Sequence, residues 1–154
     1  MQHTRLQYQQ LAPKSFKALR ELSMGSEPRE RLGERLVEIV NLRVSQINGC
    51  AFCIDMHWAG LQRQGMDPRH VNAVAGWREA PFFSARERAA LEWAELVARI
   101  PQTDPGDDAF AALKAHFSDE EIASLGFSIV VITSWNLLNV GFRMQVPAEG
   151  PYVA

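Results

Sequence analysis

Two cysteines, a histidine and their spacing mark where this chain can do chemistry. The run Asn48-Gly49-Cys50-Ala51-Phe52-Cys53-Ile54-Asp55-Met56-His57 holds both cysteines and one of only four histidines. On a helix, successive residues turn by about 100°, which puts Cys53 about 60° and His57 about 20° from Cys50. All three share one narrow arc. Ile54 and Leu61 flank it while Asp55, Gln62 and Arg63 point away, so the reactive stripe should face packed protein. Two cysteines at i and i+3 can join across one helical turn, which is thiol redox chemistry. The nucleophile in such chemistry is the thiolate, so the site must lower a thiol pKa. Cys50 would gain from the unpaired N–H groups of a first turn. Cys53 would gain from His57 one turn later, directly or through a water. Spacing alone leaves open which thiol is the more acidic.

Three plainer readings stand beside this one. The pair can be inert buried thiols. It can be half of a zinc site with His57 as third ligand, although a structural zinc site wants four ligands and no second Cys/His cluster exists. A thioredoxin-type motif belongs beside a βαβ pattern, which is missing. His70 and His116 are isolated and read as surface or capping residues. Arg43 and Gln46 lie near the motif and are weak candidates for an anion site.

The elements that must position these groups are helical. Pro13 can open a helix that stops near Gly25. Ser26 and Pro28 open a second, with Leu32, Leu36, Ile39, Val40 and Ile47 at helical spacing. Asn48-Gly49 ends it, Gly49 suiting a left-handed C-terminal position. A third runs from about Cys50 to Gln64 and stops at Gly65. Asp67-Pro68 starts a short helix through Val71 and Val74. Ser84-Ala85-Arg86-Glu87 and Ser118-Asp119-Glu120-Glu121 are capping boxes. The first opens a helix that stops before Pro101. Between them, Asp104-Pro105-Gly106-Asp107 is a loop followed by a short helix with Phe110 and Leu113. Pro147, Gly150 and Pro151 mark a tail. Strand patterns, repeats and linkers are missing. The chain reads as all-α, one domain over residues 1–154, with six or seven helices.

Composition narrows the function classes. With 154 residues, 47% hydrophobic and 22% charged, this is a globular chain that folds without a metal or disulfide. A net charge of −2 from 16 basic and 18 acidic residues offers no excess to neutralise phosphates, which argues against nucleic acid as a partner. Gln7, Gln9, Gln10, Lys14, Lys17 and Arg20 interrupt any signal-peptide core, so the expected compartment is the cytoplasm, where thiols stay reduced. The one membrane candidate, Ile122 to Phe142, carries Ser124, Ser128, Thr133, Ser134, Asn136 and Asn139. It reads as a buried helix, not a span. A partner subunit is the simplest cover for a helix apolar nearly all round. Asn136 and Asn139 should be buried and hydrogen-bonded. Trp58, Trp77, Trp93 and Trp135 read as core or interface fillers, and Phe82-Phe83 as a staple or an entry to a site.

The string from Glu38 through Asn48-Gly49-Cys50-Ala51-Phe52-Cys53 to His57 resembles the alkyl hydroperoxidase D family, the AhpD-like branch of the carboxymuconolactone decarboxylase superfamily. The family pattern is a glutamate twelve residues before Cys-x-x-Cys, then x-x-x-His, and Glu38, Cys50, Cys53 and His57 match it. Ser134-Trp135-Asn136-Leu137-Leu138-Asn139 resembles the family's final helix. The resemblance implies a peroxidase without cofactor or bound metal. Cys53 would attack the peroxide, Cys50 would resolve the sulfenic acid to a disulfide, and His57 with Glu38 would relay protons. A dithiol reductant would regenerate the pair, and the chain would form trimers or hexamers. Between the cysteines, Ala51-Phe52 is apolar where hydroperoxidase members often have small polar residues. By its own helical wheel Glu38 lies opposite the apolar arc of Leu36, Val40 and Ile47, so from local pattern alone it reads as a solvated surface acid. The alternatives are a lactone decarboxylase using acid/base residues, or a non-enzymatic redox-sensing or zinc-holding helical oligomer.

Overall fold

A computed structural model of the chain describes residues 3–25, 27–100 and 102–150. Ser26, Pro101 and Pro151, which the sequence marks as helix start, helix stop and tail, lie outside them. The described residues contain helices and no strand: α1 (Tyr8–Leu11), α2 (Pro13–Met24), α3 (Glu27–Leu32), α4 (Glu34–Ile47), α5 (Ala51–Arg63), α6 (Pro68–Asn72), α7 (Ala85–Ala98), α8 (Gly106–Lys114) and α9 (Asp119–Gly141). A 3₁₀ turn, Ala73–Gly76, continues α6.

Local chemistry sets most boundaries. Both capping boxes close reciprocally: Ser84 and Glu87 start α7, Ser118 and Glu121 start α9. The Asp67 side chain accepts the Arg69 N–H, and Pro68 fills the first turn of α6. Gly49, at φ 66°, turns the chain between α4 and α5. One expectation fails here. The apolar rhythm from Leu32 to Leu36 suggests a continuous helix, but Gly33 adopts φ 85° and divides α3 from α4. A residue with a Cβ resists that left-handed backbone.

α4 is the axis of the bundle. Leu36, Val37, Val40 and Val44 join one core cluster with Ala90, Leu125 and Ile129. Ile39 and Leu42 join a second with Leu61, Val71, Val74 and Leu91. A helix with a core on each side is buried nearly all round, and every residue from Leu36 to Leu42 is buried. Each fully buried Leu, Ile or Val contributes about 1.5–3 kcal/mol by burial.

α9 is 23 residues long and apolar enough, by length and composition, to cross a membrane. Its inward face nevertheless carries a polar ladder. Ser128 Oγ donates to Asn41 Oδ1 at 3.1 Å and Asn136 Nδ2 to Ser45 Oγ at 3.1 Å. Asn48 Nδ2 donates to Asn136 Oδ1 at 3.0 Å. These bonds fix the register of α9 against α4, because each lost partner would leave a buried polar group unsatisfied. The outward face leaves Phe127 59% and Leu137 69% exposed, beside Val130 and Val140.

Candidate active site

α5 begins at the site. Cys50 is its N-cap, and the Cys50 sulfur accepts the Cys53 backbone N–H at 3.3 Å. A thiol thus takes the place that Ser or Asp usually fills at a helix start, where the exposed N–H groups favour an anion. Both thiols are free and only 1% exposed. The stripe that spacing predicted, Cys50, Cys53 and His57, does face packed protein, with His57 5% exposed.

Asn139 of α9 reaches across to donate from Nδ2 to Cys53 Sγ at 3.3 Å. Its orientation is set by Tyr8, whose hydroxyl donates to Asn139 Oδ1 at 2.8 Å. The amide oxygen faces the phenol, so the amide nitrogen faces the sulfur. Burial, then the negative charge near Cys53 and Cys50, pushes the Tyr8 hydroxyl up to about 12, so it remains a donor.

The two sulfurs titrate as a pair. A hydrogen bond from the Cys53 thiol, together with the Cys53 backbone N–H and the amides of Asn136 and Asn139, outweighs burial and lowers Cys50 to about 7. The same bond holds the proton on Cys53, and burial and the Cys50 charge push Cys53 well above the usual thiol range. The choice that spacing left open therefore falls to Cys50 as the resting thiolate.

Glu38 is the largest departure from local pattern. It is 5% exposed, not solvated. Its Oε2 lies 2.7 Å from His57 Nδ1, and Arg29 Nη2 of α3 donates to its Oε1 at 2.9 Å. Arg29 also donates from Nε to Glu34 at 3.0 Å. Burial would raise the Glu38 carboxyl, but the bond and charge of His57 and those of Arg29 hold it below the usual range. An ionised Glu38 only accepts, so Nδ1 carries the hydrogen of this bond and Nε2 is the ring nitrogen left for other partners. Nε2 is buried and has no hydrogen-bond partner among the described residues.

Gly60 makes this pairing possible. A Cβ at position 60 would stand 2.7 Å from Glu38 Oε2 and 3.3 Å from its Cδ. Tyr8, Arg29 and Gly60 were not singled out from sequence. Arg29 and Tyr8 act across tertiary distances, and a mid-helix glycine such as Gly60 is the one visible signal of close approach. Arg43 belongs elsewhere: it donates to Glu95 at 2.6 Å, and Gln46 accepts from it. Glu95 also accepts from Trp77 and Arg78, a separate buried polar centre. His116 is exposed, and His70 stacks on Phe82 with centroids 4.0 Å apart.

Cys53 and His57 open on a cavity of about 970 Å³ between α2, α3, α5 and α9, walled by Phe16, Met56, Phe127 and Trp135. Cys53 lines it and Cys50 does not. Among the described residues no three His, Cys, Asp or Glu side chains are grouped to share a metal ion.

Residues 13–96 match the carboxymuconolactone decarboxylase family. The chain belongs to this family. Within that family it is AhpD-like. It is 31% identical over 145 residues to the uncharacterised Bacillus subtilis protein YdfG, spanning 94% of this chain and 98% of YdfG. A crystal structure of an Agrobacterium tumefaciens protein of unknown function, proposed to be the antioxidant defence protein AhpD, superposes with a TM-score of 0.90. It shares 41% identity and covers 95% of this chain and 99% of its own. The debrominase Bmp8 shares the fold, with a TM-score of 0.81, 20% identity, and coverage of 90% and 74%. The carboxymuconolactone decarboxylase fold thus hosts more than one chemistry, and the site must decide among them.

Proposed function

We propose that this AhpD-like protein is a thiol peroxidase that reduces hydroperoxides through a Cys50/Cys53 dithiol–disulfide cycle. The observation that carries the reading is the reduced, buried Cys50–Cys53 pair, with one sulfur on the wall of a large cavity and a hydrogen-bonded His57–Glu38 pair lining the same cavity.

In the resting pair the charge sits on Cys50 and the proton on Cys53. Passing that proton to Cys50 puts the thiolate on Cys53, the sulfur that lines the cavity. Cys53 attacks the terminal peroxide oxygen and the O–O bond breaks. The departing alkoxide takes the proton from Cys50, leaving an alcohol and Cys53 as sulfenic acid. The Cys50 thiolate then attacks the Cys53 sulfur, hydroxide leaves, and a proton taken up from solvent and passed through His57 Nε2 turns it into water. Glu38, itself held by Arg29, orients the ring and stabilises its charged form. The dithiol has given two electrons to the peroxide. A dithiol reductant restores it by thiol exchange. No metal or cofactor enters the cycle. The apolar outer face of α9 supports assembly as a homo-oligomer.

The test is peroxide consumption with dithiothreitol. Cys53→Ser should abolish turnover, and Cys50→Ser should stop at a sulfenic acid that dimedone traps. Full activity in Cys53→Ser would overturn the assignment of Cys53. Activity surviving loss of both thiols would favour the acid/base chemistry of a lactone decarboxylase.

A further inference from the structure

The cavity is far larger than its simplest substrate. Hydrogen peroxide occupies roughly two water volumes, ~60 Å³, against about 970 Å³ here. Most of the wall is aromatic or aliphatic, yet Arg20, Arg29 and Arg63 and three glutamates also line it. The Arg29 charge is committed to Glu34 and Glu38. Glu27 is paired with Arg31. Arg20 and Arg63 form no ion pair among the described residues. The guanidinium groups of Arg20 and Arg63 are therefore not committed to a carboxylate.

Arg63 is the arginine that geometry ties to the reacting groups. Cys53, His57 and Gly60 stand at i, i+4 and i+7 and share one face of α5. The bare Gly60 position faces two groups at once. A Cβ there would lie 2.7 Å from Glu38 Oε2 and 3.8 Å from Arg63 Nη2. The guanidinium therefore folds back over the reactive face, although position 63 itself points away from it. At a rise of about 1.5 Å per residue, Gly60 is roughly 10 Å along the axis from Cys53.

We propose that Arg63 anchors a carboxylate on the substrate, so that the preferred substrate is an organic-acid hydroperoxide whose carboxylate lies within roughly 10 Å of its O–O bond. This rests on the peroxidase reading above. The carbon skeleton lies against Met56, Phe127 and Trp135, the peroxide meets Cys53, and the carboxylate meets the guanidinium fork. A neutral hydroperoxide of the same shape makes the apolar contacts and forgoes the ionic one.

The probes are cumene hydroperoxide and its para-carboxylate, which differ only in the charged group and keep it within that reach. The readout is the ratio of kcat/KM values, acid over neutral, with dithiothreitol as reductant. Arg63 is exposed, so screening limits the preference to roughly 2- to 5-fold. Wild type should show that preference, and Arg63→Gln should bring the ratio to about one. Restoring charge with Arg63→Lys should recover part of it. A ratio near one in wild type, or a preference that survives Arg63→Gln, would overturn the proposal. If neither probe is consumed, the peroxidase reading fails, and binding decides the anchor separately. Titration calorimetry would compare the unreactive alcohols, 4-(2-hydroxypropan-2-yl)benzoate and 2-phenyl-2-propanol. Tighter binding of the benzoate to wild type, lost in Arg63→Gln, supports the anchor; equal binding overturns it.

Discussion

Replacing Gly60 by alanine pits helix propensity against the Glu38–His57 pair. Alanine in a helix interior is favoured over glycine by up to about 1 kcal/mol. Against this, the new Cβ would lie 2.7 Å from Glu38 Oε2, where ordinary contact begins at 3.4 Å. That oxygen cannot retreat freely. The carboxylate is bonded to Arg29 at 2.9 Å and to His57 at 2.7 Å, so clearing the Cβ stretches the His57 contact beyond hydrogen-bonding range. Losing a charge-assisted bond in a buried site costs about 1.5–3 kcal/mol. The net expectation is a destabilisation of about 1–2 kcal/mol, read as a lower urea midpoint with unchanged slope. Gly126 of α9, whose Cβ position has nothing within 4 Å, is the comparison; Gly126→Ala should be neutral or stabilising. Glu38→Asp withdraws the carboxylate by about one methylene, so Gly60→Ala should cost little in that background. If Gly60→Ala stabilises as Gly126→Ala does, or costs the same with Asp at 38, the steric account of this pair is wrong.

Three further outcomes follow from the same geometry. Absorbance near 240 nm should report one thiolate per chain with a midpoint near 7, and Cys53→Ala, which removes the hydrogen bond, should move it upward. Because that folded value is depressed, the stability it contributes is full above the usual thiol range and is lost as pH falls through about 7; no thiolate below pH 8 would refute it. Glu38→Gln should cost about 2–3 kcal/mol at neutral pH. Glu38 also has a lowered pKa, so that cost should shrink as pH falls below the usual carboxylate range; a pH-independent cost would contradict the ion pairing. Light scattering should give a mass that is a multiple of 17.3 kDa, reduced by Leu137→Glu on the exposed face of α9; a monomer at micromolar concentration would count against assembly.

The cysteine stripe was legible because it is local. Cys50, Cys53 and His57 lie within one helix, and the 100° rule places them together without tertiary information. The capping boxes of α7 and α9 are local for the same reason. Glu38 was not legible from its own helix. Its wheel shows one apolar arc, but α4 packs on two cores, so the face opposite Leu36 is also buried. Only the resemblance to AhpD-like chains placed it near His57. Arg29 and Tyr8 reach the site from α3 and α1, at separations where no spacing rule operates. The break at Gly33 was hidden because the apolar rhythm continues across it. Gly60 was readable as an anomaly within a helix, though not as the seat of a carboxylate.

The most direct test of the central claim counts free thiols per chain before and after one equivalent of hydroperoxide, without reductant. A dithiol cycle predicts a fall from two to none, one alcohol produced per chain, and recovery of both thiols when dithiothreitol is added. Two thiols remaining while the hydroperoxide is left unconsumed would contradict it.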